Sequence, residues 1–328
     1  MKSIVCFGEA LIDFLAEPPL AGRPRAFLQH AGGAPANVAV AVARLGGRAR
    51  FVGMLGSDMF GDFLLDSLAA LNVDVTQVRR TAQAPTALAF VSLDAGGERS
   101  FSFYRPPAAD LLFRDADFDE ALFDETGIFH VCSNSLTDAA IARTTLDGMR
   151  RARAAGALVS FDMNLRPALW PREVDPLPRI RDVLGAADVV KLSGEELAFL
   201  ADAGGGERRV LDALWHGSTR LLVVTHGGAA LRWHTPRRSG NVPSFAVRAV
   251  DTTAAGDAFV GGLLFGLAQR EVTPRSFAAL LGETDVLVAT LRFAAACGAL
   301  AVTRRGAFAA MPERADVEAL LAPIGLPL

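Results

Sequence analysis

Gly127-Ile128-Phe129-His130-Val131-Cys132, an amphipathic stretch over 138–155, and Leu158-Val159-Ser160-Phe161-Asp162 follow one another in the chain. A short apolar run, a helical pattern and a second apolar run read as two buried strands joined by a helical crossover. The rhythm continues outward in both directions. Residues 4–7, 189–192 and Leu221–Thr225 are further strand-like runs, and 36–45, 60–71 and 208–216 are further amphipathic stretches. Strands apolar on both faces and linked by helices belong to an α/β layered domain with a mainly parallel sheet. In such sheets a ligand sits beyond the carboxyl ends of the strands.

One region breaks the rhythm. Residues 86–93 and 98–105 are two strand-like runs joined by Asp94-Ala95-Gly96-Gly97, a good hairpin turn. In the second run Phe101 and Phe103 point one way, and Ser100, Ser102 and Tyr104 the other. The Pro- and Gly-rich stretch 14–31 can add strands to this hairpin. A small projecting sheet of this kind can close over a substrate as a lid. The chain 1–328 therefore reads as a single domain with lid insertions at about 14–31 and 84–108.

Composition narrows the function. The 328 residues are 51% apolar and carry a formal net charge of −3, so no basic field exists to attract nucleic acid or an anionic membrane. Lys2 and Lys191 are the only lysines. Cys6, Cys132 and Cys297 lie far apart in apolar stretches, with neither metal-ligand nor disulfide spacing. Glu9 and Asp13 interrupt an N-terminal run that lacks the basic leader of a signal peptide. No uncharged stretch is expected to be long and apolar enough to span a bilayer. The expectation is a soluble cytoplasmic protein.

The phosphate-binding loop Gly-Lys-Ser/Thr is absent, because neither lysine stands in that context. The His-Arg-Asp loop of protein kinases is absent too. The first strand leads into Cys6-Phe7-Gly8-Glu9-Ala10, not Gly-x-Gly-x-x-Gly, which disfavours a dinucleotide site. What remains is Asp251-Thr252-Thr253-Ala254-Ala255-Gly256-Asp257, leading into an apolar helical run. Unhindered N–H groups at a helix start form an anion site, and phosphoryl transfer needs charge stabilisation of that kind. Asp257 in the first turn is expected to stay ionised and to accept the proton of an attacking hydroxyl. The alternative is a carboxylate that only complements the helix dipole. A second constellation, Gly32-Gly33-Ala34-Pro35-Ala36-Asn37, opens another helix. Its glycines permit close backbone approach, Asn37 offers a donor and an acceptor, and Asp13 adds a carboxylate for hydroxyl groups.

Together these segments resemble the two signatures of the ribokinase-like, or PfkB, family of carbohydrate kinases. The first runs from Gly32 through Arg44-Leu45-Gly46 to Val52-Gly53 and Gly56, and the second from Asp251 to Gly262. The resemblance implies a three-layer α/β/α sandwich with a mainly parallel central sheet and a small β-sheet lid. It implies transfer of the ATP γ-phosphoryl group to a sugar hydroxyl, with Asp257 as base and the backbone of Ala254, Ala255 and Gly256 as anion hole. The family usually has Gly where this chain has Ala254. A positive φ there would strain Ala, and otherwise its methyl narrows the hole.

Further positions follow from the same resemblance. Asp13, Gly32, Gly33, Asn37, Arg105, Asn164 and Arg166 would face the sugar, the phosphates or the lid. Lys191, Ser193, Glu196, Thr225 and Gly227 would face ATP, with Lys191 as a surface residue the alternative. Glu196 would organise Mg2+ through phosphate, and Asp251 and Thr253 stand where a K+ ion is bound. His226 is read as a packing or solvent residue. The strings around Asn37, Asn164 to Trp170, and Lys191 to Ser193 look most like the fructokinase branch. Aminoimidazole riboside kinases and 2-keto-3-deoxygluconate kinases compete, as does a non-catalytic sugar sensor or scaffold. A homodimer through the lid, with Phe101 and Phe103 covered by a partner, completes the expectation.

Overall fold

The computed structural model describes residues 1–17, 24–93 and 99–322, with 92, 93 and 99–101 described by backbone alone. In chain order the strands are β1 (Ser3–Phe7), β2 (Leu11–Ala16), β3 (Phe27–Gly32), β4 (Ala49–Gly56), β5 (Val78–Thr81), β6 (Leu88–Leu93) and β7 (Arg99–Tyr104). They continue with β8 (Thr126–Cys132), β9 (Leu158–Asp162), β10 (Val189–Ser193), β11 (Leu221–Thr225), β12 (Leu231–His234) and β13 (Ser239–Val242). The helices are α1 (Ala34–Arg44), α2 (Met59–Ala70), α3 (Ala121–Asp124), α4 (Ala139–Ala154), α5 (Leu177–Ala186) and α6 (Gly194–Gly204). After them come α7 (Glu207–His216), α8 (Ala255–Gln269), α9 (Pro274–Gly282), α10 (Thr284–Ala301) and α11 (Arg314–Leu321).

The large sheet has the order β13-β12-β11-β10-β9-β8-β1-β4-β5. It is parallel from β11 to β5, and β12 and β13 add an antiparallel edge. The period-two alternation of its strands sends neighbouring side chains into two separate cores. Ile4, Cys6, Val189 and Val223 join one core with Val38 of α1, Leu264 of α8, Phe277 of α9 and Leu291 of α10. Val5, Phe7, Val190 and Val224 join the other with Met149 of α4, Ile180 of α5, Leu197 of α6 and Leu214 of α7. This is the expected α/β/α sandwich. Asp138 caps α4 by accepting from the N–H groups of Ala140 and Ile141, which places the start of that crossover. All three cysteines are buried and free.

The second sheet has the order β3-β2-β6-β7. The hairpin β6–β7 is present in register, with Leu88 opposite Tyr104 and Leu93 opposite Arg99. Its turn, Asp94-Ala95-Gly96-Gly97, and the side chain of Phe101 lie outside the described residues, as do positions 18–23 of the 14–31 insertion. Phe103 departs from the expectation of an uncovered apolar face. It packs on Leu11, Ala87, Ala89 and Ala108, on the side of the sheet that also carries Asp13. Among the described residues of this sheet, Phe27, Leu28 and Tyr104 are the large apolar ones left exposed. On the side opposite Phe103, Phe90 stacks on Phe14 at 5.0 Å and meets Tyr104 edge-on at 5.3 Å.

One helix bears on the membrane expectation. By length and composition α10 qualifies to cross a bilayer, with 18 residues and a mean hydropathy of 1.5. It carries Asp285 and Arg292, so the stretch is not uncharged. It lies against α8 and buries Leu287, Leu291, Ala294 and Cys297.

Candidate active site

The N-termini of α1 and α8 meet at the end of the sheet where β1, β8, β9, β10 and β11 finish. The first intrahelical bond of α8 runs from Ala258 N–H to the Ala254 carbonyl, 2.8 Å away. Ala255 N–H makes a long contact of 3.4 Å with the Thr252 carbonyl, and Ala254 supplies no side-chain cap. The N–H groups of Gly256 and Asp257 fall in the first turn, which has no acceptor of its own within the helix. Ala254 itself has φ 57 and ψ 13, in the left-handed region. The first alternative raised by the Gly-to-Ala departure is therefore the one realised, and an L-residue held there costs about 1–2 kcal/mol.

Asp257 is buried, and its Oδ2 accepts from Nδ2 of Asn37 at 2.7 Å across 220 residues of chain. Burial pushes its carboxyl up to about 6, helped by the nearby Asp162, while Asn37, Lys191 and Arg166 pull the other way. Desolvation thus outweighs the pull of the helix start, yet a carboxyl titrating at about 6 is still mostly ionised at neutral pH. A base poised near 6 matches proton transfer at neutral pH better than an ordinary carboxylate would. The other amide atom, Asn37 Oδ1, is buried with no hydrogen-bond partner among the described residues. A buried acceptor of this kind calls for a donor, and a ligand hydroxyl is one.

Asn37 is set by the turn before it. Gly33 takes φ 104, and a Cβ there would sit 2.6 Å from the Glu9 carbonyl oxygen and 2.7 Å from Ala10 Cα. Pro35 follows in the first turn of α1, where its missing N–H is no loss. The Asp13 carboxylate lies against Gly32, whose Cβ would fall 2.2 Å from Oδ2. The predicted Asp13, Gly32, Gly33 and Asn37 are thus brought together beside Asp257.

Lys191 is no surface lysine. It is buried in the middle of β10, 3.1 Å from Asp162 Oδ1, and a Cβ on Gly256 would meet its Nζ at 3.1 Å. Burial opposes its charge, yet Asp162 and Glu196 outweigh that and hold the ammonium above its usual range. Ser193 and Glu196 form a capping box at the start of α6, and the other oxygen of Glu196 accepts the Leu165 N–H at 2.7 Å. That single carboxylate ties α6 to the loop after β9. Burial, and then Asp162, raises its pKa. Asp162 is the residue that sequence reading passed over: a strand-end aspartate looks ordinary until its 29-residue-distant partner Lys191 is known.

The remaining positions divide. Asn164 is buried with φ 37, a conformation Asn tolerates, and Arg166 is exposed near Asp257. Thr225 closes β11 with a 3.4 Å bond to the Leu192 carbonyl, and Gly227 follows at φ 56 in exposed backbone. His226, exposed, packs over Gly194. Asp251 is buried and accepts from the N–H groups of Thr253 at 2.8 Å and Gly306 at 3.1 Å. Arg105, expected at the substrate, directs its guanidinium elsewhere: Nε bonds Asp110 at 2.8 Å and Nη2 the Asn134 carbonyl at 2.9 Å. Among the described residues no group of three His, Cys, Asp or Glu comes together as a metal cage.

This chain can be set beside known proteins. A profile of the pfkB family carbohydrate kinases matches residues 1–314. A protein named probable fructokinase-7 from Arabidopsis thaliana is 44% identical over 97% of this chain and 92% of its own length. The crystal structure of fructokinase with bound ATP from Xylella fastidiosa is 56% identical, covers 99% of both chains and superposes with a TM-score of 0.95. Fructokinase from Vibrio cholerae, solved with fructose, ADP and calcium, is 34% identical over 98% of this chain and 99% of that one, with a TM-score of 0.83.

Proposed function

The chain belongs to the pfkB family of carbohydrate kinases, and from that premise we propose that it is an ATP-dependent fructokinase. The observation that carries the mechanism is the Asn37–Asp257 pair, which joins the sugar-side turn to the anion-binding helix start. A sugar hydroxyl gives its proton to Asp257 as its oxygen bonds the γ-phosphorus, and the bond from that phosphorus to the ADP oxygen breaks. Asn37 Oδ1, Asp13 and the Gly32–Gly33 backbone hold the sugar. The N–H groups of Gly256 and Asp257, with Lys191 beside them, receive the charge on the moving phosphoryl group. Asn164, Arg166, Ser193, Thr225 and Gly227 border the phosphates and nucleotide.

The electrostatics support a cation. Three carboxylates, Asp162, Glu196 and Asp257, surround Lys191, so the pocket is poorly matched to a nucleotide triphosphate by itself. Both oxygens of Glu196 already accept an N–H, and their remaining lone pairs suit the water shell of Mg2+ bound mainly by phosphate. Bound there, Mg2+ would neutralise phosphate charge. Asp251 and Thr253, near the start of α8, are proposed to hold K+. We place the protein in the cytoplasm, where its three free thiols stay reduced. We also infer a homodimer in which Phe27, Leu28 and Tyr104 of the lid meet a second copy; light scattering showing only monomer at assay concentration would refute it.

A coupled ADP assay with ATP and Mg2+ over fructose, ribose, tagatose, 2-keto-3-deoxygluconate and an aminoimidazole riboside tests the substrate. Fructose is expected to give the highest kcat/KM. Efficient turnover of another member without turnover of fructose would overturn the reading.

A further inference from the structure

A buried polar chain runs behind the sugar-side turn and takes no part in the chemistry above. Glu9 follows β1, is 1% exposed, and its Oε1 accepts two N–H donors, the Ala34 N–H at 3.2 Å and Asn134 Nδ2 at 2.8 Å, while the Cys132 thiol lies 3.8 Å from Oε2. Ala34 is the first residue of α1, so this bond holds one of the orphan donors of that helix. Asn134, in the short turn after β8, is itself anchored. Its carbonyl accepts from Arg105 Nη2 at 2.9 Å and from Thr137 Oγ1 at 3.2 Å. Arg105 is neutralised by Asp110 and lies directly after β7 of the lid. Glu9, Asn134, Arg105, Asp110 and Thr137 are each no more than 5% exposed.

Two features give this chain a direction. Gly33 cannot move toward β1, because the Glu9 carbonyl and Ala10 Cα already crowd the space a Cβ would need. The Glu9 side chain then fixes the next residue, and one turn later Asn37 reaches Asp257. One buried oxygen accepting two N–H donors is a stiff support, since water is excluded and neither donor has another partner to turn to among the described residues.

We propose that Glu9 is a positioning residue for the sugar: by holding Ala34 and Asn134 it fixes the Gly32–Asn37 turn against the base of the lid. The inference rests on the reading of that turn as the sugar site. It differs from a purely structural role in its kinetic signature, which is confined to the sugar.

Steady-state kinetics on the full chain would compare Glu9→Ala, Glu9→Gln, Asn134→Ala and the Glu9→Ala/Asn134→Ala double variant. Glu9→Ala should raise the sugar KM about tenfold or more, the scale of leaving a buried donor unsatisfied, and leave the ATP KM within about twofold. Glu9→Gln keeps an acceptor oxygen for both donors and should stay within about threefold of wild type. Asn134→Ala should shift the sugar KM in the same direction, and the double variant should fall short of the product of the singles. A folded Glu9→Ala with unchanged sugar KM, or with both KM values raised equally, would overturn the proposal. So would Glu9→Gln as impaired as Glu9→Ala. Should Glu9→Ala fail to fold, an unchanged sugar KM in Asn134→Ala overturns it as well. If wild type prefers another sugar, the fructose assignment fails while the same variants, read with that sugar, still judge Glu9.

Discussion

The starts of α1 and α8 face each other across the cleft and solve the same problem differently. Each helix is entered through a residue with positive φ and without a side-chain cap, Gly33 at φ 104 and Ala254 at φ 57. At Gly33 the surroundings forbid a side chain, because backbone atoms would lie within 2.7 Å of its Cβ. At Ala254 a side chain is present, so only conformational strain opposes it. One start is fixed by space and the other tolerates a cost. The difference teaches that the sugar side is the stiffer half of the site and the phosphate side the more permissive.

Breaking the link between the two starts should produce the largest effect. Asp257→Asn removes the base and is expected to lower kcat by about 10³-fold or more with ATP affinity retained; single-turnover kinetics and ATP titration check this. The same variant should be more stable than wild type at neutral pH. An acid whose folded pKa lies at about 6, above its ordinary 3.8, binds its proton more tightly when folded. Stability therefore falls as pH rises between those values, by on the order of 2–3 kcal/mol, and an amide escapes that loss. Denaturant melts of both proteins at pH 5 and pH 8 would reveal it.

Gly33→Ala tests the stiff side. The clash should cost about 2 kcal/mol or more and raise the sugar KM, whereas an unaltered unfolding midpoint would show that the turn can yield. Asn37→Ala is expected to be milder, with kcat/KM about tenfold down. It also removes the bond that holds the Asp257 pKa down, so the acid limb of the pH–rate profile should move above its wild-type position near 6. An unmoved limb would mean that Asn37 does not govern the base. Ala254→Gly, on the permissive side, should be the smallest change. Relief of strain, less the added freedom of the unfolded chain, predicts stabilisation of up to about 1 kcal/mol, visible as a raised melting midpoint.

The fold was legible wherever local pattern and tertiary demand agreed. Leu158–Asp162 and Leu221–Thr225 are strands with the bounds their apolar runs suggest, because both faces of a central strand are buried. Short polar edges were not legible. Val78–Thr81 and Ser239–Val242 carry no apolar run, and become strands only through the neighbour they pair with. In the site, Asp257 and Asn37 could be found because each stands in a helix-start motif. Asp162 and Glu9 could not, since their meaning lies in partners 29 and 125 residues away. Arg105 stands at the site by resemblance alone; its guanidinium is bonded by Asp110, five residues on, a partner that no motif announces.

The placement of Lys191 has one more consequence. It is one of two lysines in the chain, shut in beside Asp162, while Lys2 is exposed at the opposite end of β1 from the cleft. Coupling through lysine side chains therefore grips the native molecule at a single pole. Anchored to a surface in that way, every copy would stand in one orientation, its mouth turned toward the solution.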